Sequence, residues 1–530
     1  MSLPNNPFSS ENIAANNWQL IDGEKVSDKV TLDADVVIVG TGAGGGIAAE
    51  ILSKAGFKVV MVEEGPLRHS DHFDMKEKTA YPDLYQESAA RKTKDKAISV
   101  MQGRAVGGST TVNWTSSFRT PAQTLKQWQT HHGVEGITEE SMKPWFEWVE
   151  QRLNINPWPV PPNMNNEILR QGATQLGWSS GVIARNVNGC ANLGYCGTGC
   201  PINAKQSMLV TTIPAALNHG ATLMSRTRVE KILVQNDKAT GVEVKFIDHN
   251  GQIRNGITGT IKAKHVVMSA GAIGTPAVLL RSQIADPNSL IGKRTMIHPV
   301  NLTLGLFGEK VEGFSGAPQS IYSDEFQWRD QSIGYKLEVP PMHPVLSSIM
   351  VNGFGEEHAK VMEQLPHINA VLALVRDGFH EESQGGSIEL DKHGYPVLDY
   401  PLTPILWKTF KESFANMMEL QFAAGAKQVM PMHRDAGFIN SWSEAKKALE
   451  TLPMKPLRAK LFTAHLMGGC AMGEDKSQSV VNSYHQHHHV EGLSVMDASV
   501  FPTSLGVNPQ LSIYGLTARA ATHLVESLKG

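Results

Sequence analysis

The sequence predicts a doubly wound α/β domain joined to a second lobe. Near the N-terminus, a β-branched strand runs into a glycine-rich turn, a helix and another strand. A further apolar strand at 493–496 and a terminal helix at 509–528 belong with this unit, although they lie far away in the sequence. The chain has 530 residues, more than a single hydrophobic core accommodates, so at least two packed lobes are expected.

The first strand–helix–strand unit is indicated by the spacing of its apolar residues. Residues 35–40 (Asp-Val-Val-Ile-Val-Gly) form a short β-branched run that ends in glycine, which is typical of a strand buried on both faces. Apolar residues then recur at helical spacing over 47–55, and a second apolar run spans 58–62. The crossover between these parallel strands should be right-handed.

Three longer segments complete the organisation. Residues 126–159 show helical periodicity and are interpreted as helices that cover the ligand side. Residues 220–267 alternate between apolar and polar in the manner of several short strands. The stretch 299–460 contains strand-like segments and a helix around 406–424, which together indicate an inserted second lobe.

Charge and cysteine content narrow the class of partner. The net charge is −3 and no long run of Lys or Arg occurs, so neither nucleic acid nor an anionic membrane is expected as a partner.

Residues 1–26 do not resemble a signal peptide, and no apolar run has transmembrane length. Four cysteines are too few for disulfide bonds to stabilise a chain of this length, so a reducing cytoplasm is the default expectation. Export alongside a partner that carries the signal stays open.

A glycine motif in the first βα turn predicts a nucleotide site. Gly40, Gly42 and Gly45 fit G-x-G-x-x-G between a buried strand and a helix, and Glu63 ends the next strand. Such glycines permit a tight turn, let backbone amides approach a pyrophosphate and allow close packing of helix on strand. Glu63 is expected to bind an adenosine ribose. A glycine-rich turn without ligand is the alternative, and the motif alone does not choose between FAD and NAD.

Further blocks resemble the glucose–methanol–choline (GMC) oxidoreductase family along almost the whole chain. Residues 103–110 (Gly-Arg-Ala-Val-Gly-Gly-Ser-Thr), followed by Asn113, are similar to the first family signature. Residues 271–276 resemble the second signature, and residues 496–502 resemble the C-terminal FAD-binding segment. The resemblance implies a Rossmann-type FAD-binding domain and an α+β substrate domain with a large antiparallel sheet.

The resemblance also assigns residues to the cofactor. In addition to the residues of the first turn, those assigned are Gly107, Gly108, Ser109, Asn113, Val229 and Asp497. The signature glycines would meet the FAD pyrophosphate, Asn113 would approach the flavin, and the backbone of Val229 would recognise adenine. Structural roles stay open for single positions, since Ser109 can cap a helix and Asp497 can hold a turn.

Removal of a hydride from an alcohol carbon requires the hydroxyl proton to leave as well, so a base is needed. Residues 464–470 (Ala-His-Leu-Met-Gly-Gly-Cys) resemble the catalytic-histidine block of the family, and 506–509 (Gly-Val-Asn-Pro) resemble the block of its partner. By this resemblance, closest to the cholesterol oxidase and long-chain alcohol oxidase branch, His465 is the base and Asn508 its partner. His298 lies in another family-like block, where it can serve either the site or packing.

The cysteines are clustered, and two interpretations stay open. Cys190, Cys196 and Cys200 have the spacing C-x5-C-x3-C, and three thiolates can hold a three-iron iron–sulfur cluster. Similar spacing occurs in GMC dehydrogenase subunits that pass electrons to a cytochrome partner. It also resembles the long-chain alcohol oxidases, where Lys205 would follow a loop of structural role.

The sequence thus predicts an FAD-dependent alcohol dehydrogenase or oxidase acting on a small-molecule alcohol. Methionines such as Met342, Met417 and Met418 suggest adaptable apolar walls and hence a hydrophobic alcohol, although methionine is also typical of a core. An FAD-containing cyanohydrin lyase and a non-catalytic flavin-binding protein are the alternatives. Oxygen, a quinone or a cytochrome subunit could reoxidise the flavin.

The expected domains follow from these blocks. The FAD-binding domain is discontinuous and comprises 30–120, 185–298 and 461–530. Residues 121–184 form the helical cover, and residues 299–460 form the substrate-binding domain.

Overall fold

The computed structural model describes residues 6–329 and 332–530. Its α-helices are α1 (Ser10–Asn16), α2 (Ala43–Lys54), α3 (Glu77–Leu84), α4 (Ala122–His132), α5 (Glu139–Arg152), α6 (Met164–Leu176), α7 (Thr212–Asn218), α8 (Gly271–Arg281), α9 (Pro344–Met350), α10 (Gly355–Glu363), α11 (Pro404–Ala423), α12 (Trp442–Thr451) and α13 (Gln510–Lys529). Across the described residues, no helix is both long and apolar enough to span a bilayer.

The strands are β1 (Gln19–Asp22), β2 (Val30–Val39), β3 (Val59–Val62), β4 (Ile98–Val100), β5 (Ser116–Ser117), β6 (Ile155–Pro157), β7 (Gly181–Val182), β8 (Ala184–Asn186), β9 (Thr222–Ser225), β10 (Thr227–Gln235), β11 (Lys238–Ile247), β12 (Ile253–Met268), β13 (Lys293–Thr295), β14 (Val300–Leu306), β15 (Ile321–Ser323), β16 (Tyr335–Glu338), β17 (Ile368–Val375), β18 (Gly386–Leu390), β19 (Pro396–Asp399), β20 (Gln428–Pro431), β21 (Leu461–Thr463) and β22 (Leu493–Val495). Short 3₁₀ helices lie at Gly23–Lys25, Ser70–His72, Gln86–Ala89, Gly108–Thr111, Cys196–Thr198, Leu365–His367 and Ala498–Val500.

The first sheet confirms the doubly wound fold. Its parallel strands lie in the order β1, β9, β3, β2 and β12, and β22 pairs in parallel with the end of β12. Antiparallel strands β11 and β10 extend it from the beginning of β12. Residues 36–39 and 59–62 are buried, as the apolar runs predict, and α2 packs between the sheet and α13. Strand β2 begins earlier than predicted, at Val30, because its first half alternates between partly buried and exposed residues.

The second sheet is the large antiparallel sheet that the family resemblance implies. Its order is β4, β21, β14, β17, β16, β15 and β7, with β20 paired to β14, and only β4 and β21 run parallel to each other. All eight residues of β17 are buried because both faces of this strand are covered. Val371 and Ala373 belong to the core that includes α11, whereas Leu372 and Leu374 belong to a separate core with Met342. The lobe therefore has two apolar layers.

Some segments cross between the two lobes. Strands β4 and β21 lie outside residues 299–460 in sequence, yet they pair within the second sheet. Conversely, the hairpin β18–β19 lies within 299–460 but pairs with β13 and packs on α8 of the first lobe. Helix α6, from the expected cover, packs on α11. The domain boundaries given above stay a prediction, and these exchanges show why a sequence division is difficult.

Buried histidines make the fold sensitive to acid. Burial lowers the pKa of His485 to about 3 and the pKa values of His265 and His487 to about 4. In the unfolded chain, a histidine takes up its proton near pH ~6.5, whereas these rings stay neutral in the fold. Below this pH the unfolded chain binds more protons, so each ring removes about 1.4 kcal/mol of stability per pH unit until its folded pKa is reached. At a pH above the pKa of the unfolded histidine, these rings are neutral in both the folded and the unfolded chain, so they contribute no pH dependence to stability.

We therefore expect the unfolding temperature to fall progressively as the pH is lowered from about 7 to about 5. His485→Leu is the matched variant, since both ring nitrogens of His485 are buried and have no hydrogen-bond partner in the part of the chain that the structure describes. This variant should lose part of the acid dependence. An unfolding temperature that is constant or rises on acidification would contradict this explanation.

Candidate active site

The glycine-rich turn after β2 is shaped by two glycines that the fold itself requires. Gly40 has φ of +98°, and a Cβ atom there would lie 2.3 Å from the backbone oxygen of Ser269. A Cβ atom on Gly45 would lie 2.0 Å from the oxygen of Gly40. Gly42 differs, because it has φ of −68° and its Cβ would meet nothing closer than the Cα of Gly108, at 3.8 Å. Gly42 is therefore not required by packing, and its lack of a side chain leaves open space in front of the N-terminus of α2.

A second glycine loop faces the first. Gly107 and Gly108 have φ of +91° and +54°, and a Cβ on Gly108 would lie 2.7 Å from the Cα of Gly42. The hydroxyl of Ser109 accepts a hydrogen bond from the backbone N–H of Gly103 at 3.0 Å, so Ser109 closes its own loop. The two loops and the first turn of α2 form a cradle of backbone suited to a pyrophosphate.

Glu63 lies directly after β3 and fixes the first turn. Its Oε2 atom accepts hydrogen bonds from the N–H and the hydroxyl of Thr41, at 3.0 and 2.7 Å, and its Oε1 atom accepts one from the N–H of Gly65 at 2.9 Å. Burial raises the pKa of Glu63, and these hydrogen bonds oppose the rise. Each carboxylate oxygen can accept further hydrogen bonds, which is compatible with a ribose ligand.

Val229 and Asn113 lie on different walls. Val229 is buried on β10, and its carbonyl accepts a hydrogen bond from Arg281 at 3.1 Å. The side-chain amide of Asn113 donates to Gln510 Oε1 at 2.7 Å, which joins the signature loop to α13. Both residues are thereby fixed before any ligand binds.

Asp497 is buried and bound by protein groups. Its Oδ2 atom accepts hydrogen bonds from the N–H of Gly271 at 2.9 Å and the hydroxyl of Thr275 at 2.5 Å, and Oδ1 accepts one from the N–H of Ser499 at 2.8 Å. Asp497 therefore joins the start of α8 to the C-terminal segment. The structure shows the turn-holding role that the sequence left open, at a position that also lines the cavity.

A cavity of about 620 Å³ brings most of the predicted site residues together. Those that line it are Gly40, Gly42, Glu63, Gly108, Ser109, Asn113, Val229, His465, Asp497 and Asn508. Gly45 and Gly107 do not line it but lie in the two loops behind it. Segments that are far apart in the chain thus meet on a single surface.

His465 follows β21 and lines this cavity. Its backbone N–H donates to the hydroxyl of Thr463 at 3.2 Å, and its Nδ1 atom lies 3.2 Å from Nδ1 of His298. The two rings meet edge to face, with centroids 5.4 Å apart. Burial, and secondarily the ammonium of Lys336, lowers the pKa of His465 to about 3. The imidazole is therefore neutral at physiological pH, as a proton acceptor must be.

Asn508 has one amide atom engaged and one free. Its Nδ2 atom donates to Glu338 Oε2 at 3.1 Å. Its Oδ1 atom is buried and has no hydrogen-bond partner among the residues that the structure describes. An unpaired buried acceptor is costly, so this carbonyl is suited to receive a hydrogen bond from a ligand.

The sequence analysis missed the buried groups behind Asn508. Glu338 and Lys336 lie on the same face of β16, with Nζ and Oε1 3.3 Å apart, and the amide of Gln319 donates to Glu338 Oε2 at 2.6 Å. The Lys336 ammonium also lies 2.9 Å from the ring centroid of Phe118. Burial lowers the pKa of Lys336 to about 8 and raises the pKa of Glu338. Two charges spaced by two residues in an apolar strand were the signal that could have identified them.

The methionines named above do not form the walls of the cavity. Met342, Met417 and Met418 are buried in the cores of the second lobe, so the expectation that they contact substrate was wrong. The apolar side chains that do line the cavity include Val300, Leu372, Leu374 and Phe462 from β14, β17 and β21. An apolar wall exists, but it is built by one face of the second sheet.

The structure does not support the iron–sulfur cluster predicted for Cys190, Cys196 and Cys200. No group of three or more His, Cys, Asp or Glu side chains within 6–329 and 332–530 is arranged to hold a metal ion. The buried Lys205 instead organises the cysteine loop (residues 190–200). Its ammonium donates to the carbonyls of Thr111, Asn113 and Cys196 at 2.7, 2.9 and 2.7 Å. The loop thereby supports the signature loop that carries Asn113, in line with the structural alternative.

Comparisons with known proteins match the chain to one family. Residues 81–300 and 382–517 match the N- and C-terminal family models described as GMC oxidoreductase. The chain is 30% identical to an uncharacterized GMC-type oxidoreductase of Sinorhizobium fredii, over 94% of this chain and 96% of that protein. It is 27% identical to a long-chain-alcohol oxidase of Arabidopsis thaliana, over 96% of this chain and 70% of that protein.

A dehydrogenase and two solved structures extend the comparison. The chain is 25% identical to 2-methyl-1,2-propanediol dehydrogenase of Mycolicibacterium austroafricanum, over 92% of this chain and 95% of that protein. Formate oxidase of Aspergillus oryzae superposes with a TM-score of 0.68 at 14% identity, covering 95% of this chain and 99% of that one. Pyridoxine 4-oxidase of Mesorbium loti gives 0.65 at 17% identity, covering 92% and 98%. At these identities the solved structures support the fold alone.

Proposed function

Because this chain belongs to the GMC oxidoreductase family, we propose that it oxidises a hydrophobic alcohol by hydride transfer to FAD, with His465 as the base. FAD dependence and alcohol oxidation follow from the family and its characterised members. The identity of the base and the hydrophobic nature of the substrate are the proposal. The observation that carries it is that His465 and Asn508 line the same cavity as the two glycine loops.

The residues present fit the dinucleotide. Gly42 and Gly108 would bind the pyrophosphate through backbone, Glu63 would bind the ribose, and Val229 and Asn113 would lie near the adenine and the flavin respectively. When bound, FAD supplies the acceptor for the hydride. The cradle supports this assignment because the protein leaves space for a pyrophosphate in front of Gly42. A Cβ atom placed there would have the Cα of Gly108 as its nearest neighbour, at 3.8 Å.

His465 and Asn508 would bracket the alcohol oxygen. The Nδ1 atom of His465 faces His298, so Nε2 is the ring nitrogen left to meet the hydroxyl. The carbonyl of Asn508, oriented by Glu338, is a second acceptor beside the hydroxyl. A hydroxyl has one hydrogen, which points to Asn508 or to His465 but not to both, so it turns to His465 before the proton leaves. Side chains on both sides of the hydroxyl restrict the rotation of the alcohol and so orient its carbinol C–H. A carboxamide is a very weak base, so the proton is assigned to His465.

The apolar wall supports a hydrophobic substrate. Val300, Leu372, Leu374 and Phe462 present side chains rather than hydrogen-bonding groups to the cavity. Burial of each additional methylene contributes about 0.8 kcal/mol, which corresponds to about a fourfold gain in kcat/KM. We therefore expect kcat/KM to rise with chain length across a series of primary alcohols until the wall is covered.

Anaerobic addition of these alcohols to the purified holoprotein tests the proposal. The visible flavin band should bleach, the corresponding aldehyde should accumulate, and longer chains should react faster. Readmitting oxygen then measures whether oxygen reoxidises the flavin. A flavin that stays oxidised while a cyanohydrin is cleaved would identify a lyase and overturn the proposal, and so would the absence of any reaction with alcohols.

A further inference from the structure

The proton positions on His298 are determined by its neighbours. This side chain is fully buried, and its Nε2 atom accepts a hydrogen bond from the backbone N–H of Gly506 at 2.9 Å. An amide N–H can only donate, so Nε2 must carry a lone pair. Burial lowers the pKa of His298 well below its ordinary value, and the neighbouring cations Lys336 and Arg376 lower it further. The ring is therefore neutral, and its single proton lies on Nδ1.

This conclusion carries over to His465. Nδ1 of His298 lies 3.2 Å from Nδ1 of His465, so His298 donates and His465 accepts. A neutral His465 that accepts at Nδ1 must carry its own proton on Nε2. Nδ1 is the ring nitrogen of His465 that contacts His298, and His465 lines the cavity, so Nε2 is the nitrogen that would meet the alcohol. In the arrangement that these hydrogen bonds imply, called the first arrangement, His465 thus presents a donor at Nε2, whereas the base of the proposed reaction needs a lone pair there.

The backbone of His298 is held as firmly as its ring. Its φ is +42°, which is unusual for a residue other than glycine. The carboxylate of Asp377 accepts hydrogen bonds from the N–H groups of Ile297 and His298, at 2.9 and 3.1 Å, and from the hydroxyl of Tyr400 at 2.8 Å. Left-handed backbone fixed in this way is typical of functional positions.

We propose that His298 is a positioning residue that exchanges between two proton arrangements and thereby decides whether His465 acts as a donor or as a base. In the first arrangement, which the hydrogen bonds imply, the two protons lie on His298 Nδ1 and His465 Nε2. In the second arrangement the His298 Nδ1 proton has crossed to His465 Nδ1, the His465 Nε2 proton has been released to water, and water has supplied one proton to His298 Nε2, so none is gained or lost overall. The second arrangement frees His465 Nε2 but places two hydrogens between His298 and Gly506, so the amide of Gly506 must move away.

The exchange links the protonation of His465 to the position of Asn508. Gly506 begins the segment 506–508 that ends with Asn508, so movement of its amide is transmitted to the carbonyl that would hold the alcohol. The first arrangement recognises a hydroxyl, with His465 donating a hydrogen bond to its oxygen and Asn508 accepting a hydrogen bond from it. The second arrangement lets His465 remove that proton. This inference rests on the proposed function and adds a control on when the base becomes available.

His298→Gln tests the exchange. A glutamine carbonyl can accept from Gly506 while its amide donates to His465, but these two roles cannot be interchanged. We expect this variant to bind FAD and alcohol with little change while its anaerobic flavin reduction slows by at least about a hundredfold. His298→Ala should be slow as well, and added imidazole should restore part of its rate. His485→Leu, which also removes a buried histidine, is the matched control and should reduce flavin at the wild-type rate.

The outcomes are distinguishable from a failure of the proposed function. If wild type is bleached by alcohol but His298→Gln is bleached equally fast, the exchange is wrong while the proposed function stands. If neither is bleached, the proposed function itself is wrong. If a variant folds poorly, its FAD content and unfolding temperature will show this. Imidazole rescue of His298→Ala then decides whether the exchange occurs. A lack of rescue in a well-folded His298→Ala protein would overturn the exchange.

Discussion

Replacement of His465 by alanine should abolish alcohol-dependent reduction of the flavin while FAD stays bound. The base in such a site contributes about 10² to 10⁴ in rate, and no other histidine lines the cavity within the described residues. The side chain is not part of the glycine cradle, so loss of the imidazole should leave cofactor binding nearly unchanged. Stopped-flow absorbance under anaerobic conditions measures the rate, and the spectrum of the purified variant measures FAD content.

A matched control separates this effect from general damage. His485→Leu removes another buried imidazole, one that does not line the cavity, and should keep the wild-type rate. If His465→Ala retains full FAD and more than about a tenth of the wild-type rate, the proton must leave by another route. Glu338 would then be the next group to substitute, because it is a buried carboxylate in contact with Asn508.

The second large effect is expected at Gly42. Its backbone conformation, φ −68°, is accessible to alanine, and an added Cβ would lie no closer than 3.8 Å to any protein atom outside its neighbours. Gly42→Ala should therefore fold, and replacing glycine even stabilises a compatible site by about 0.4–1 kcal/mol. The new methyl group would nevertheless occupy the place where backbone must approach the pyrophosphate. We expect FAD affinity to fall by at least about a hundredfold, which corresponds to about 2.7 kcal/mol.

Cofactor titration of the apoprotein, followed by flavin fluorescence, measures this loss. Gly437→Ala is the matched control, since Gly437 is exposed and an added Cβ would meet nothing within 4 Å. The control should bind FAD as wild type does. Equal affinity of Gly42→Ala and wild type would mean that the cradle does not receive the pyrophosphate.

The parts of the fold that the sequence predicts well are those encoded locally. The strands ending at Val39 and Val62 are β-branched runs buried on both faces, and Gly40 and Gly45 between them are required by backbone contacts. The C-terminal strand and helix were also recognised, as β22 and α13. In each case, a short stretch of sequence carries the whole physical reason for its structure.

The parts that it does not predict depend on contacts between distant segments. The pairing of Lys336 with Glu338 and the position of Gln319 behind Asn508 require the arrangement of the second sheet. Methionine composition could not show which face of that sheet would border the cavity. Likewise, the spacing of the cysteines does not reveal that Lys205 organises their loop through three carbonyls. Geometry of this kind arises only when the chain is folded.

The proton positions on His298 also depend on a contact between distant segments and could not be predicted from the sequence. The family-like block placed it near the site or in packing, but its role follows from a single amide, that of Gly506, which donates to its ring. Only the direction of that hydrogen bond identifies the nitrogen that carries the proton. A site can therefore be located from sequence motifs while its chemistry still depends on individual hydrogen bonds.

The most direct measurement is the rate of anaerobic flavin reduction by a long-chain primary alcohol carrying deuterium in place of hydrogen at the carbinol carbon. If the carbinol hydrogen leaves as hydride to the flavin, the flavin band bleaches with the ordinary alcohol and more slowly with the deuterated one. A flavin that remains oxidised in the presence of either alcohol would contradict hydride abstraction at this site.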